Sequence, residues 1–311
     1  MRNSAIAVLV SVLVMGMLTG CGKGSSGDPD GRKKIVFIGY SSTNTFWITL
    51  KNSAEKTAKD AGLDFADMTS SEPDIVAQKA AVDNAIRMGV AGLVIGPSNS
   101  EGLGKSLDKA KAAGIPVVTV DTRVKHDWIS SHVATDNVAA AELAGDYIVG
   151  KLGGKGKVLI IGGTVGAQTA DDRRNGVFSK CKAAGMTVLH FDANWKDDEA
   201  NRIAQAQLAA HNDIGAIFAA CDPMILGAKV AVKRKGLLGK VLLVGFDAIP
   251  EALAAVQKGE LDATVRQDPV RMGKEGVQLM AKILKGETDI PKSIAIKAVI
   301  VNKSNVDEYI K

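Results

Sequence analysis

From Lys33 onward, short apolar runs alternate with longer segments in which apolar residues recur every three or four positions. The first run, residues 35–40, is too short for a helix. Residues 46–61 follow with Leu50, Ala54, Ala58 and Ala61 on one helical face, and Gly62 is placed to end that helix. The same reading predicts strands over 63–68, 92–95 and 116–120, separated by helices over 74–88 and 101–113. A second series begins at Asp136, a good N-cap for a helix running to Lys151. Strands over 158–161, 187–191 and 216–219 and helices over 170–184 and 198–211 continue it, and a late strand covers 262–266. Strands alternating with helices of this length predict parallel sheets covered on both faces.

The pattern also repeats itself. Gly92-Leu-Val-Ile-Gly opens a unit that ends at Val120-Asp121, and Gly215-Ala-Ile-Phe-Ala opens one that ends at Phe246-Asp247. Each runs strand, helix, glycine, strand, aspartate, over 30 and 33 residues. Two similar doubly wound α/β lobes are the simplest architecture, with Asp121 and Asp247 at equivalent places.

Composition narrows the partners. With 311 residues, 46% of them hydrophobic, the chain is long enough for two cores. A net charge of +5, without basic runs interleaved with aromatics, argues against nucleic acid. Only 13 residues are aromatic, so the cores must be aliphatic and any gathering of aromatic rings asks for another reason.

The N-terminus stands apart from the fold. Arg2 precedes an apolar stretch over residues 5–18, whose 14 residues fall short of the ~30 Å needed to span a bilayer. That length predicts an export signal. Leu18-Thr-Gly-Cys21 resembles the bacterial lipobox, which implies removal of residues 1–20 and a lipid anchor on Cys21, with a flexible Gly- and Ser-rich linker behind it. Cys181 and Cys221 are then the remaining thiols, expected to be free, although an exported protein could pair them.

In open parallel sheets, ligands bind beyond the carboxyl ends of the strands. Tyr40, Asn44, Phe46 and Trp47 follow the first strand, and Asp121, Thr122 and Arg123 follow the fourth. Arg173, Trp195, Cys221 with Asp222, Phe246 with Asp247, and Gln267 hold the corresponding places in the second series. Carboxylates, amides and an arginine suit the hydroxyls of a polyhydroxylated ligand, each of which donates and accepts, and aromatic planes suit the aliphatic faces of a sugar ring. Singly, each aspartate reads as well as a helix cap or turn former.

Catalytic chemistry has little to stand on. His126, His132, His190 and His211 lack metal-ligand spacing, and neither a nucleophile elbow nor a Walker loop occurs. Gly162-Gly-Thr-Val-Gly166 reads as a phosphate cradle or, more simply, as a strand-to-helix turn. Asp197, Asp198 and Glu199 fit the start of a helix. No enzyme activity, metal or cofactor is expected.

From Lys33 to Lys311 the chain resembles the type I periplasmic solute-binding proteins of ABC transporters, in their ribose-binding-like branch. The resemblance rests on Ser42-Thr-Asn-Thr-Phe-Trp47, Thr119-Val-Asp121, Ser131-His-Val-Ala-Thr-Asp136-Asn, Arg173-x-x-Gly176, Ala220 to Ala228, Val244-Gly-Phe-Asp247 and Ala263-Thr-Val-Arg-Gln267. It implies two lobes, 33–135 plus 268–291 and 136–267 plus 292–311, joined by crossings near Thr135, Gln267 and Pro291. It also implies hydrogen bonding by Asn44, Asp121, Arg173, Asp247 and Gln267, and aromatic walls from Phe46, Trp47, Trp195 and Phe246. Two positions depart from the family pattern: Cys221 stands where asparagine is common, and Thr122 where arginine is frequent. A thiol replaces an amide poorly, which implies a ligand that lacks, or places differently, the hydroxyl served there.

The function so implied is an exported, lipid-anchored monomer that captures a small neutral carbohydrate by hinge closure and hands it to a membrane permease of an ABC transporter. The alternative is a sugar or quorum-signal receptor that feeds a chemotaxis or sensor-kinase pathway. A transcription regulator of the same fold would need an N-terminal helix-turn-helix in place of the export signal.

Overall fold

The computed structural model describes residues 31–310. The expected export signal, the expected lipidation site Cys21 and most of the expected linker lie outside the described residues. In chain order the elements are β1 (Lys34–Ile38), α1 (Thr45–Asp60), β2 (Asp64–Asp67), α2 (Ile75–Arg87), β3 (Gly92–Ile95), α3 (Gly104–Ala112), β4 (Val117–Val120) and β5 (Ser131–Thr135). There follow α4 (Asn137–Leu152), β6 (Lys157–Gly162), α5 (Gln168–Ala183), β7 (Thr187–Asp192), α6 (Asp197–Ala210), β8 (Ile214–Ala219), α7 (Asp222–Arg234) and β9 (Leu242–Asp247). The chain ends with α8 (Pro250–Lys258), β10 (Ala263–Arg266), α9 (Pro269–Leu284), β11 (Ser293–Ile296) and β12 (Val299–Asn302).

These form two sheets of six strands each. The first has the order β11-β5-β4-β3-β1-β2 and is parallel throughout. The second has the order β12-β10-β9-β8-β6-β7 and is parallel except for β12, which runs against β10. Central strands such as β3 and β4 are buried along their whole length, as an unbroken apolar run in a sheet covered on both faces requires. The edges β2 and β7 carry the polar residues.

Helix starts follow local chemistry. The side chains of Asn44, Asp74, Asp136 and Asp268 accept hydrogen bonds from first-turn amides of α1, α2, α4 and α9, each worth about 1 kcal/mol. Helix α9 follows second-sheet strand β10 but returns to the first lobe, where it lies on α1. At Gly273 an added Cβ would sit 2.2 Å from the Leu50 carbonyl oxygen, so only glycine permits that backbone approach.

Three features depart from the sequence-based expectation. Residues Ser131–Thr135, expected only as a crossing, form a fully buried strand. Strands β11 and β12 were not anticipated; each has four residues, too short for a periodicity to declare itself. Finally, β11 pairs with β5, and Ser131 Oγ donates to the Pro291 carbonyl, so residues beyond Pro291 still belong to the first sheet. The third passage therefore runs through Lys297 and Ala298, between β11 and β12, and the lobe boundary expected at 291/292 moves accordingly. Direct entry from this passage explains why β12 is, among the described residues, the one antiparallel strand.

Candidate functional site

Beta-strands β4 and β9 hold matching places in the two sheets, and an aspartate stands at the carboxyl end of each. Asp121 has φ 62° and Asp247 φ 126°, both in the left-handed region that side chains avoid. Such backbone costs roughly 1–3 kcal/mol each and persists only where its surroundings enforce it. At Asp247 the enforcement is visible. Fully buried Asp222 accepts hydrogen bonds from the Ile249 amide at 2.9 Å and from Thr264 Oγ1 at 2.7 Å. Thr264 Oγ1 in turn accepts from the Ala248 amide at 3.3 Å, which pins the turn that presents Asp247. Asp222, anticipated near the ligand, is thus a brace under the site. Burial raises its carboxyl well above the ordinary range, and neighbouring Asp247 adds to the rise.

Between the two aspartates lies Arg173, carried by α5 and 4% exposed. Its Nε donates to Asn137 Oδ1 and its Nη1 to the Ala220 carbonyl, both at 2.8 Å. The guanidinium lies 4.0 Å above the Phe246 ring and 5.6 Å from that of Trp195. Its separations from Asp247 Oδ1, 3.6 Å, and Asp121 Oδ1, 3.8 Å, are ion-pair distances too long for hydrogen bonds. The carboxylates consequently keep acceptor capacity that the protein does not use. Burial pushes the Asp247 carboxyl up to about 6, with Arg173 working against the rise. The Asp121 carboxyl is also raised by burial and held down by Arg173.

Gln267 links this centre to the hinge. Its Nε2 donates to Asp247 Oδ1 and its Oε1 accepts from Thr135 Oγ1, both at 2.7 Å. Thr135 and Gln267 stand on two of the three passages between lobes, so the carboxylate is held by segments that join them.

These groups open onto a cavity of about 270 Å³ between the lobes. Eleven of the residues singled out from the sequence line it: Tyr40, Asn44, Phe46, Trp47, Asp121, Thr122, Arg173, Trp195, Cys221, Asp247 and Gln267. Phe246 does not. It is fully buried in β9 and serves as the apolar floor beneath Arg173 instead of a wall. Asn44 has two duties: its Oδ1 caps α1 by accepting from the Phe46 and Trp47 amides, which leaves its amide nitrogen for the cavity. Arg123 turns away from this cavity and lines a separate hinge-side hollow with His132 and Asp172. Thr122 takes the inner place, its hydroxyl donating to Asp121 Oδ2 at 2.9 Å.

The aromatic residues form two walls. On the first lobe Tyr40 stacks on Trp47 at 6.2 Å, and Phe46 meets the same indole edge-on at 5.6 Å. On the second lobe Trp195 stands alone, presented by a turn in which Asn194 (φ 51°) and Trp195 (φ 63°) are both left-handed. The glycine run 162–166 is the turn between β6 and α5, and an added Cβ at Gly163 would meet the Trp195 indole at 2.2 Å. An indole therefore covers the place where a phosphate cradle would lie.

Cys221 occupies the N-cap position of α7, where its side chain makes no capping bond. Burial raises its thiol well above the usual range, so it faces the cavity uncharged. Cys181 is likewise buried and free. No group of metal-ligating side chains is assembled among the described residues.

Several lining residues were not foreseen. Ser98 follows β3 and is 9% exposed, and its hydroxyl has no partner among the described residues, an unmet buried polar group that invites a ligand. The strand-end rule would have found it had the third strand been scanned. Thr169 enters from the second lobe and approaches Thr122 across the cleft at 3.4 Å between hydroxyl oxygens. The Ser100 amide also donates to the Gly166 carbonyl and its Oγ accepts from the Gln168 amide, both at 3.1 Å. The lobes are thus in contact and the cleft is closed.

Comparison with known proteins agrees with this fold. A model of the periplasmic binding protein domain matches residues 35–288. The chain is 32% identical over 288 residues to the ribose import binding protein of Salmonella typhimurium, covering 92% of this chain and 95% of that protein. It is 29% identical over 313 residues to the xylitol-binding protein of Mycolicibacterium smegmatis, covering 99% of this chain and 88% of the relative. An ABC transporter solute-binding protein from Agrobacterium vitis, solved with α-D-tagatopyranose, superposes with a TM-score of 0.85 at 29% identity, covering 90% and 99% of the two chains. All three are binding proteins, not enzymes, and the first and third serve import or ABC transport.

Proposed function

The chain belongs to the periplasmic binding protein family, as a type I sugar-binding member, and from that premise we propose that it is an exported lipoprotein that captures a small neutral sugar or polyol and delivers it to an ABC-type permease. Anchored through Cys21, it works as a monomer at the cell envelope, with residues 21–32 as its tether. No helix among the described residues is long and apolar enough to cross a membrane.

The observation that carries the proposal is the pairing of polar groups and rings across one closed cleft. Asp121 and Asp247 accept from ligand hydroxyls, Arg173 Nη2 and Asn44 Nδ2 donate to ligand oxygens, and Trp47 and Trp195 cover the aliphatic faces from opposite lobes. A ligand that touches both lobes binds the closed form more tightly than the open one, and that difference in affinity drives closure. The permease then reads the closed shape and reopens it.

A thermal-shift screen of the mature protein against pentoses, hexoses, deoxysugars and polyols tests the proposal. A ligand at 100 times its dissociation constant adds roughly 2.7 kcal/mol of stability, enough for a clear rise in Tm. If no carbohydrate or polyol raises it, the proposal fails.

A further inference from the structure

Both tryptophan walls rest in notches that glycine leaves. Gly96 follows β3, and a Cβ built there would lie 2.1 Å from the outer ring of Trp47. Gly163 follows β6, and a Cβ there would lie 2.2 Å from the Trp195 ring. Ordinary contact begins near 3.4 Å, so either indole would have to yield by more than an ångström. In both pairs the indole lines the cavity and the glycine does not, so the ring lies between glycine and ligand space. Neither glycine has the positive φ that would itself forbid alanine; what excludes a side chain is the ring.

We propose that Gly96 and Gly163 are specificity-determining positions: by letting each indole sink to the level of the backbone, they set the gap between the two aromatic walls and thus the size of ligand accepted. The inference rests on the proposed carbohydrate reading for its ligand class, but not for its geometry. Trp47 has nowhere to retreat. It is 6% exposed, stacked on Tyr40 and met edge-on by Phe46. A methyl group at position 96 therefore drives it toward the cavity. Trp195 is fixed at its backbone by the left-handed pair Asn194–Trp195, so a methyl group at position 163 tilts its ring the same way. Either substitution narrows the gap. A six-carbon ring that fills the space between walls then loses its place, whereas a three-carbon polyol keeps it.

The test compares wild type, Gly96→Ala and Gly163→Ala by calorimetric titration with D-tagatose, D-ribose, xylitol and glycerol. Gly150→Ala is the control, since an added Cβ there meets nothing within 4 Å. Both notch variants are expected to lose at least tenfold in affinity for the ring sugars relative to glycerol, and Gly150→Ala to lose none. Pairing Gly96→Ala with Trp47→Phe removes the clashing outer ring and should recover the melting temperature if Gly96→Ala alone folds poorly. A readout that needs no ligand accompanies this. With Trp128 and Trp195 replaced by Phe, Trp47 is the sole indole emitter, and Gly96→Ala should raise its quenching by acrylamide. Unchanged quenching, or equal losses for every ligand, overturns the inference. If wild type binds none of the four, quenching alone decides whether the notch holds the ring, and the carbohydrate reading is decided separately by the thermal-shift panel.

Discussion

Replacing Asp247 by Asn should leave the protein at least as stable near neutral pH while sharply weakening ligand binding. The carboxyl has an ordinary value of 3.8 and is pushed up to about 6 in the fold, chiefly by burial. Between those two values the folded protein holds a proton that the unfolded chain has already released. Stability contributed by this group therefore falls as pH rises from about 4 to about 6 and is level outside that window. A difference of about two pKa units corresponds to roughly 3 kcal/mol. That is the cost of keeping Asp247 ionised at pH 7.5, and Asn does not incur it. The amide oxygen still accepts from Gln267 Nε2, as Asp247 Oδ1 does at 2.7 Å. What disappears is the negative charge opposite Arg173 Nη1, 3.6 Å away, and with it the strong acceptor offered to a ligand.

A charge-assisted hydrogen bond is worth roughly 1.5–3 kcal/mol, so affinity should fall between about 10-fold and 150-fold. Two measurements check this: melting temperatures from pH 4 to pH 8 for both proteins, and titration of whichever sugar or polyol stabilises wild type. The variant should melt at or above the wild-type temperature at pH 7.5, and its advantage over wild type should grow as pH rises from about 4 to about 6. Wild-type affinity should also weaken below about pH 6, where Asp247 takes up a proton. A variant that binds as tightly as wild type refutes the assigned role, and one whose stability difference from wild type is the same at about pH 4 and pH 7.5 refutes the assigned charge.

Further outcomes follow from the same geometry. Arg173→Lys cannot reproduce two donated bonds and a flat face on Phe246, so binding should fall by at least 100-fold on titration, and unchanged affinity would count against a ligand at this centre. Cys221→Asn places two donors and an acceptor where a neutral thiol stands, and should reorder the ligand preferences in the thermal-shift panel; an unchanged order removes Cys221 from the specificity argument. Ser98→Ala deletes an unpartnered buried hydroxyl and should cost little stability but several-fold in affinity; a loss of stability with full affinity would reverse its role. Cys21→Ser should move the exported protein from the membrane fraction to the soluble one, and its retention there would exclude the lipid anchor.

The fold was legible where local rules and burial agree. Helix α4 begins at the Asp136 cap and β3 coincides with residues 92–95, because a capping side chain and an unbroken apolar run each carry their own physical signature. Strands β11 and β12 carry none, since their four-residue segments alternate weakly and gain their place only from β5 and β10. In the site, strand ends led to Asp121 and Asp247. Phe246 went astray because a residue still inside a strand packs against one covered face of the sheet, one position before the chain turns toward the ligand. Thr122, Thr169 and Ser100 could not be joined from sequence, since a hydroxyl in a turn says nothing about a partner on another lobe.

The placement of Arg173 accounts for why ligand, and not charge alone, should hold the lobes together. Asp247 lies on the same lobe as the arginine, and Asp121 reaches it across the cleft at 3.8 Å. Attraction at that distance is about 4 kcal/mol at an effective dielectric of 20, before the cost of burying both groups. That cost is comparable, as the upward shift of the Asp121 carboxyl despite the nearby guanidinium indicates. The ion pair therefore adds little net drive to closure and forms no hydrogen bond of its own. On the proposed function, a ligand hydroxyl would supply what the pair lacks, donating to Asp121 while neighbouring oxygens accept from Arg173, so that both buried charges are satisfied at once. Closure without ligand leaves those groups paired at a distance, and closure with ligand completes them. On that reading, the difference between those two states would be the free energy that favours the closed form when the cleft is filled.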